Sequence, residues 1–252
     1  MKIRGHGRRG YLWSLASLFA AVAVSCVGVS LIFLYQTIRN PINQTEQFLV
    51  VTPGTGVHSL ATQLVSENLA GSRWSVVAWA VLSGTSATFK SGEYLIPKKT
   101  NPAQILGKIS RGDVYQRKLT IVEGLRFSQL KDRLRQEKML TSTLANLSEP
   151  GLTDYLSLNA PSVEGAFFPS TYFFLRGDTD LNVLRRAAAK MREELARAWD
   201  ARGAGLLLKN PYDALILASI IQKEAMLESE MPRISGVFHN RLRLKMRLQA
   251  DP

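Results

Sequence analysis

The chain has 252 residues, 46% of them apolar, with 32 Lys and Arg against 20 Asp and Glu for a formal charge of +12, and a single cysteine. The apolar content excludes a disordered acidic tail or a collagen-like fibre, and one thiol cannot close the bridges of a disulfide scaffold. The length suits an anchored chain of one or two further domains.

No charged residue occurs from Gly10 to Ile38, a stretch longer than the ~20 apolar residues that cross a bilayer. The expectation is a basic tail over residues 1–10, a transmembrane helix over 11–37 and a polar linker over 38–46. Lys2, Arg4, Arg8 and Arg9 crowd the amino-terminal flank, so the positive-inside rule keeps that tail cytoplasmic and places the rest beyond the cytoplasmic membrane. Tyr11, Trp13 and Tyr35 lie near the two ends of the run, where amphipathic rings favour the interface. A cleaved signal peptide is the alternative, but its apolar core spans only ~7 to 15 residues. Ser25-Cys26 suggests a lipoprotein site only faintly, because Ala23 replaces the usual Leu and apolar sequence continues past the cysteine. Within that run Cys26 says nothing about redox compartment.

Setting aside the four basic residues of the tail leaves 28 Lys and Arg against 20 Asp and Glu, a net +8 outside. Such a domain suits anionic lipid head groups or a carboxylate-bearing polymer such as peptidoglycan, and a solvated lysine surface fits equally well. Nucleic acid is a third polyanion, but this topology puts the basic domain on the wrong side of the membrane to meet it.

After the linker, QFLVV (47–51) reads as a strand and PGTG (53–56) as a turn. Val57, Leu60, Ala61, Leu64 and Val65 then recur at helical spacing and stop near Gly71. Ser72 can cap a second helix through Leu82. GEYLIP (92–97) reads as a strand, and Asn101-Pro102 opens a helix with Ile105, Leu106 and Ile109. The pattern returns 70 residues on: Val51, Gly54, Val57, Leu60, Leu64 and Leu69 correspond to Ile121, Gly124, Phe127, Leu130, Leu134 and Met139. Tyr94 and Ile105 are echoed by Tyr172 and Leu184, which predicts a duplicated strand-helix-strand-helix unit whose short strands need packing partners. PGTG lacks both the third glycine of a dinucleotide fingerprint and the Gly-Lys-Ser/Thr of a phosphate loop, so no nucleotide is expected.

A helix capped by Thr179 or Asp180 places Leu184, Ala188, Met191, Leu195 and Trp199 on one stripe. Asn210-Pro211 then opens a helix expected to run through PYDALILASIIQKEAMLESE. Three, four and seven positions before Glu224 stand Ile221, Ile220 and Leu217, so its carboxyl group continues an apolar face. Burial there would favour the protonated form that a general acid needs. The alternative is an exposed Glu224 partnered by Lys223 or Arg233, as most helix glutamates are solvated. Spacing does not choose between the two. Glu228 looks like solvated helix end.

The string LASIIQKEA (217–225) resembles the catalytic-helix signature of the endolytic murein transglycosylases, the YceG-like family, in which the last acid of the motif, here Glu224, is catalytic. EGAFFPSTYFF (164–174), GVFHNRL (236–242) and LQADP (248–252) resemble further family blocks in the family's order. Upstream, VVTPGTGVHSLATQL, GEYLIP, NPAQILGKISRG and TIVEG (120–124) resemble its LysM-like region and the junction of that region with the catalytic domain. Gln222 stands where the family commonly has an acid.

The resemblance implies an α+β chain: a transmembrane helix, a LysM-like α/β subdomain over 47–116 and a YceG-like catalytic domain over 117–252. That domain is expected to be incomplete, because the family continues past the block matching LQADP. The implied substrate is the peptidoglycan glycan strand, cut between N-acetylmuramic acid and N-acetylglucosamine by one carboxylic acid. No metal or other cofactor is implied, and His6, His58 and His239 are too dispersed for a zinc site. The wall-synthesis machinery is an implied partner. Glu164, Asn240, Gln249 and Asp251 match family positions and are the substrate-binding candidates, although Glu164 suits a structural hydrogen bond equally well. The Phe167, Phe168, Tyr172, Phe173 and Phe174 cluster fits core better than a sugar platform. A noncatalytic wall-binding protein is the competing reading.

Overall fold

The computed structural model describes residues 7–158 and 162–250, with side chains described from Leu18 onward. The basic tail to His6 and the candidate Asp251 lie outside the described residues. Helices and strands are mixed throughout, and the chain divides into two compact units, residues 1–115 and 116–252.

The first unit begins with α1 (Gly7–Arg39), about 50 Å long at the helical rise of 1.5 Å per residue. No side chain from Leu18 to Thr37 is buried, yet Ile38 is fully enclosed. One amino-terminal helix of this length and composition fits a single-pass membrane anchor. Strand β1 (Gln47–Val51) pairs antiparallel with β2 (Gly92–Ile96), Leu49 opposite Tyr94. Two strands are not stable alone. Their inward face is covered by α2 (Val57–Ser66), α3 (Arg73–Leu82) and α4 (Pro102–Arg111), whose Leu60, Leu64, Val76, Ala80, Ile105, Leu106 and Ile109 close a core with Leu49, Tyr94 and Ile96.

The segment expected as a polar linker is tied down rather than free. Asn43 is buried, its Nδ2 donating to the carbonyls of Pro97 and Thr45 and its Oδ1 accepting from the Thr100 amide. Side-chain bonds to three backbone groups fix the chain where α1 ends and β1 begins.

The second unit repeats the plan. Strand β3 (Arg117–Ile121) pairs antiparallel with β4 (Ser170–Phe174), Leu119 opposite Tyr172. Helices α5 (Phe127–Gln136) and α7 (Asp180–Asp200) correspond to α2 and α4. The turns match as well, Gly54 and Gly124 both holding positive φ, of 80° and 69°. Each copy also buries a tyrosine whose hydroxyl donates to the carbonyl four residues earlier, Tyr94 to Lys90 and Tyr172 to Phe168, both at 2.7 Å. The duplication read from the sequence is therefore present in backbone, register and side-chain bonds. Where the first copy has α3, the second inserts a longer segment that includes α6 (Glu149–Tyr155) and the EGAFFP loop. Phe167, Tyr172 and Phe174 are core, whereas Phe173 is exposed.

Burial raises the Tyr172 phenol from its ordinary 10.0 to about 12, with Arg186 opposing. The neutral phenol is thus favoured in the fold. Its contribution to stability is complete below pH 10, where the unfolded chain still holds the proton, and is lost as pH rises to about 12. Denaturation midpoints should fall across that window in the parent, and Tyr172→Phe should flatten the fall while costing about 1 kcal/mol at neutral pH. An unaltered alkaline slope in the variant would reject the assignment.

Candidate active site

Beyond α7, α8 (Pro211–Glu224) starts as expected, with Asn210 Oδ1 accepting from the Asp213 amide at 2.9 Å. It ends six residues earlier than the sequence suggested. Ala225 turns extended, the Met226 and Leu227 amides donate to Glu230 Oε2, and α9 (Met231–Arg243) begins afresh with Pro232 in its first turn. A proline lacks the amide a continuing helix needs and suits a helix start. Glu228 therefore lies outside α8, and Glu224 is its last residue.

The apolar stripe leading to Glu224 is only partly covered. Leu217 is buried, Ile220 and Ile221 are half-buried, and Glu224 itself is exposed. The expectation of a shielded carboxyl group is thus not met among the described residues. The unit's core is closed by β3, β4, α5, α6 and α7, whereas α8 packs against α7 and α9 at its edge. Periodicity marked the stripe of α8 that is partly covered but could not show that little packs over its final turn.

Beside that turn lies a cleft of about 880 Å³, bounded by the β3–α5 turn, the EGAFFP loop, α7 and α8. Phe127, Phe167, Leu130, Leu195 and Leu215 give it an apolar wall, and Glu123, Arg126, Glu164, Glu194, Gln222 and Lys223 supply polar groups. The Phe127 and Phe167 rings stack at 5.6 Å but are buried, so they support the wall rather than offer a sugar platform. Lys223 Nζ donates to the Gly124 carbonyl at 2.7 Å, tying α8 to the turn across 99 residues of sequence.

Of the sequence candidates, Glu164 lines the cleft, and both its oxygens accept from the Phe127 amide, at 3.0 and 3.2 Å. It therefore caps α5 from another loop. Replacing it with Ala should cost about 1 kcal/mol, the usual value of a lost helix cap, measurable by chemical denaturation. A loss of activity larger than that destabilisation explains would add a substrate contact.

Glu224 does not line the cleft, although its chain neighbours Gln222 and Lys223 do. Asn240 sits exposed on α9, accepting from Arg243, and Gln249 is exposed after it. Neither lines the cleft. His239, on α9, is half-buried, and the basic residues Arg241 and Arg243 lie in the last turn of that helix.

Sequence reasoning missed Glu123, Arg126, Glu194 and Lys223. The duplication held a clue to the first two, since the first copy has Pro53 and Gly56 where the second has Glu123 and Arg126. The two copies of the turn thus differ in charge, and the charged copy is the one that lines the cleft.

Residues 49–252 match the model of the YceG-like family. A relative from Bacillus subtilis (strain 168), an endolytic murein transglycosylase, is 25% identical over 244 residues, covering 87% of this chain. The chain spans 66% of that relative's length. A crystal structure of a YceG-like protein from Listeria monocytogenes aligns with 82% of this chain and 73% of its own, at 21% identity and a TM-score of 0.45.

Proposed function

The chain belongs to the YceG-like family, and from that premise we propose that it is a membrane-anchored lytic transglycosylase acting on peptidoglycan glycan strands. The observation that carries this reading is the polar-rimmed cleft beside α8, with Glu224 ending the helix one residue past the cleft-lining Lys223. The activity of the Bacillus subtilis relative is of the same class.

In the proposed reaction the Glu224 carboxylic acid gives its proton to the glycosidic oxygen between N-acetylmuramic acid and N-acetylglucosamine as the anomeric C–O bond breaks. The resulting carboxylate takes the proton of the muramoyl C6 hydroxyl while that oxygen bonds to the anomeric carbon. A 1,6-anhydro end forms, no water is consumed, and Glu224 regains its proton. Glu224 is exposed in the free chain, so the water exclusion this chemistry needs falls to the substrate: a glycan laid over the end of α8 covers the carboxyl group. The first unit, whose sequence resembles the family's LysM-like region, gives the strand a second hold.

The exposure of Glu224 also favours a second reading, a noncatalytic wall-binding protein. Incubating the full chain in detergent micelles with purified sacculi distinguishes the two. Release of anhydro-ended fragments supports cleavage; sedimentation with the wall and no fragments supports binding alone.

A further inference from the structure

Helix α3 carries no charge except Arg73 at its first position. Its inward side, Ser75, Val76 and Ala80, packs into the first unit, but its outward side is apolar too. Trp74 is 70% exposed, Val81 60% and Leu82 69%, and with half-buried Ala78 they form a stripe at i, i+4, i+7 and i+8 from Trp74, whereas Val77 packs against the unit's core. A helix apolar on all sides belongs in a protein interior or against lipid, and this one is half outside its domain.

Its position within the unit says which. α3 packs directly against α1. The Arg39 guanidinium lies 5.4 Å from the Tyr35 ring and 5.8 Å from the Trp79 ring, so the last turn of α1 and the middle of α3 share one cation. Ile38 is buried in the core that α3 closes. Ile42 sits so close to Gly71, just before α3, that a Cβ there would meet its Cδ1 at 3.3 Å. The helix is therefore fixed beside the final turns of α1, where a spanning segment gives way to its aromatic and basic flank. At that depth Trp and Arg side chains are favoured, the ring among glycerol and upper acyl groups and the guanidinium on phosphate. Arg73 and Trp74 stack at 5.2 Å and present both groups together.

We propose that α3 is a membrane-surface helix, lying in the head-group layer beside the exit of α1 with Trp74, Val81 and Leu82 turned into lipid. The first unit is then held by two contacts, a spanning helix and an interfacial one, and its orientation on the membrane is set rather than free to swivel on a tether. Because the two contacts share one rigid unit, the second forms at high effective concentration and needs little affinity of its own. The inference rests on α1 crossing a bilayer.

The test uses the full chain reconstituted in vesicles of phosphatidylethanolamine and phosphatidylglycerol. An environment-sensitive fluorophore is attached to the native Cys26, exposed on α1. In a Cys26→Ser background it is attached instead to Trp74→Cys, to Val81→Cys, or to Thr62→Cys on the exposed side of α2. All three positions are exposed, so the fold should tolerate each label. Lipids brominated deep in the acyl chain should quench the Cys26 label. Lipids brominated near the glycerol should quench the labels at 74 and 81, whose emission shifts to the blue, and the label at 62 should show neither effect. If Cys26 is quenched while the labels at 74 and 81 behave like that at 62, the interfacial helix is rejected and the anchor stands. If Cys26 escapes quenching, the anchor and the inference fail together. Blue-shifted labels at 74 and 81 that no bromolipid quenches, with the shift growing as protein density rises, would mean a protein covers the stripe, and the lipid assignment is wrong.

Discussion

Glu224→Gln should yield a folded chain that binds sacculi and releases anhydro-ended fragments at a rate lower by about 10²- to 10⁴-fold, the usual worth of a positioned general acid or base. The substitution keeps the side chain's length and planarity and removes only the proton that titrates. The exposure of Glu224 makes the experiment cleaner, because surface changes away from caps and cores typically alter stability by less than about 0.5 kcal/mol. Denaturation of the variant should therefore superimpose on that of the parent, and lost activity cannot be blamed on lost fold. The carboxyl group serves as acid in one half of the reaction and base in the other, so the variant should be deficient on every glycan length, with binding unchanged. Cleavage at the parental rate would remove Glu224 from the mechanism and leave Glu164, a carboxylate that does line the cleft, as the group to test next.

The largest effect on stability is expected at Asp180. This carboxylate is 3% exposed at the first position of α7. It accepts from the Thr143 amide at 3.0 Å, the Thr143 hydroxyl at 2.6 Å, the Leu144 amide at 3.1 Å and the Leu181 amide at 2.8 Å. Four donors from two segments converge on one side chain, and the parallel bridge between Thr141 and Thr179 closes the same junction. Asp180→Ala strands these amides away from water at about 1–3 kcal/mol for each one left unsatisfied. A loss of about 3–5 kcal/mol is expected once water reaches part of the gap. Asp180→Asn retains one acceptor oxygen and should lose less. Chemical denaturation of both variants checks the order, and an Asp180→Ala variant within about 1 kcal/mol of the parent would show that the junction relaxes without it.

Much of this architecture could be read from residue order because its signals are local. Strand alternation, the Asn101-Pro102 and Asn210-Pro211 helix starts, and the Gly54 and Gly124 turns each depend on a few neighbouring residues. The duplication added long-range information, since a segment repeated 70 residues later had to pair its strands in the same register. What escaped the sequence was the set of contacts between distant segments: Lys223 on the Gly124 carbonyl, Glu164 on the Phe127 amide, Asn43 across to the Pro97 carbonyl. In each, a polar side chain reaches one backbone group, which imposes no periodicity and leaves no composition signal. The extent of α8 was misjudged for a related reason. AMLESE has good helix formers, but Pro232 and the Glu230 carboxylate establish a new start downstream, and that competition outweighs propensity. The burial of Glu224 depended on what packs over the end of its helix, which the stripe of Leu217, Ile220 and Ile221 does not encode.

The central claim is a glycan cleavage in which the sugar's own C6 oxygen replaces water. Digesting purified sacculi with the full chain in water enriched in oxygen-18 and weighing the new ends tests it directly. The proposed chemistry gives 1,6-anhydro ends with no heavy oxygen. Reducing ends carrying oxygen-18 would identify a hydrolase instead, and the absence of any new ends from a folded, wall-bound chain would contradict catalysis altogether.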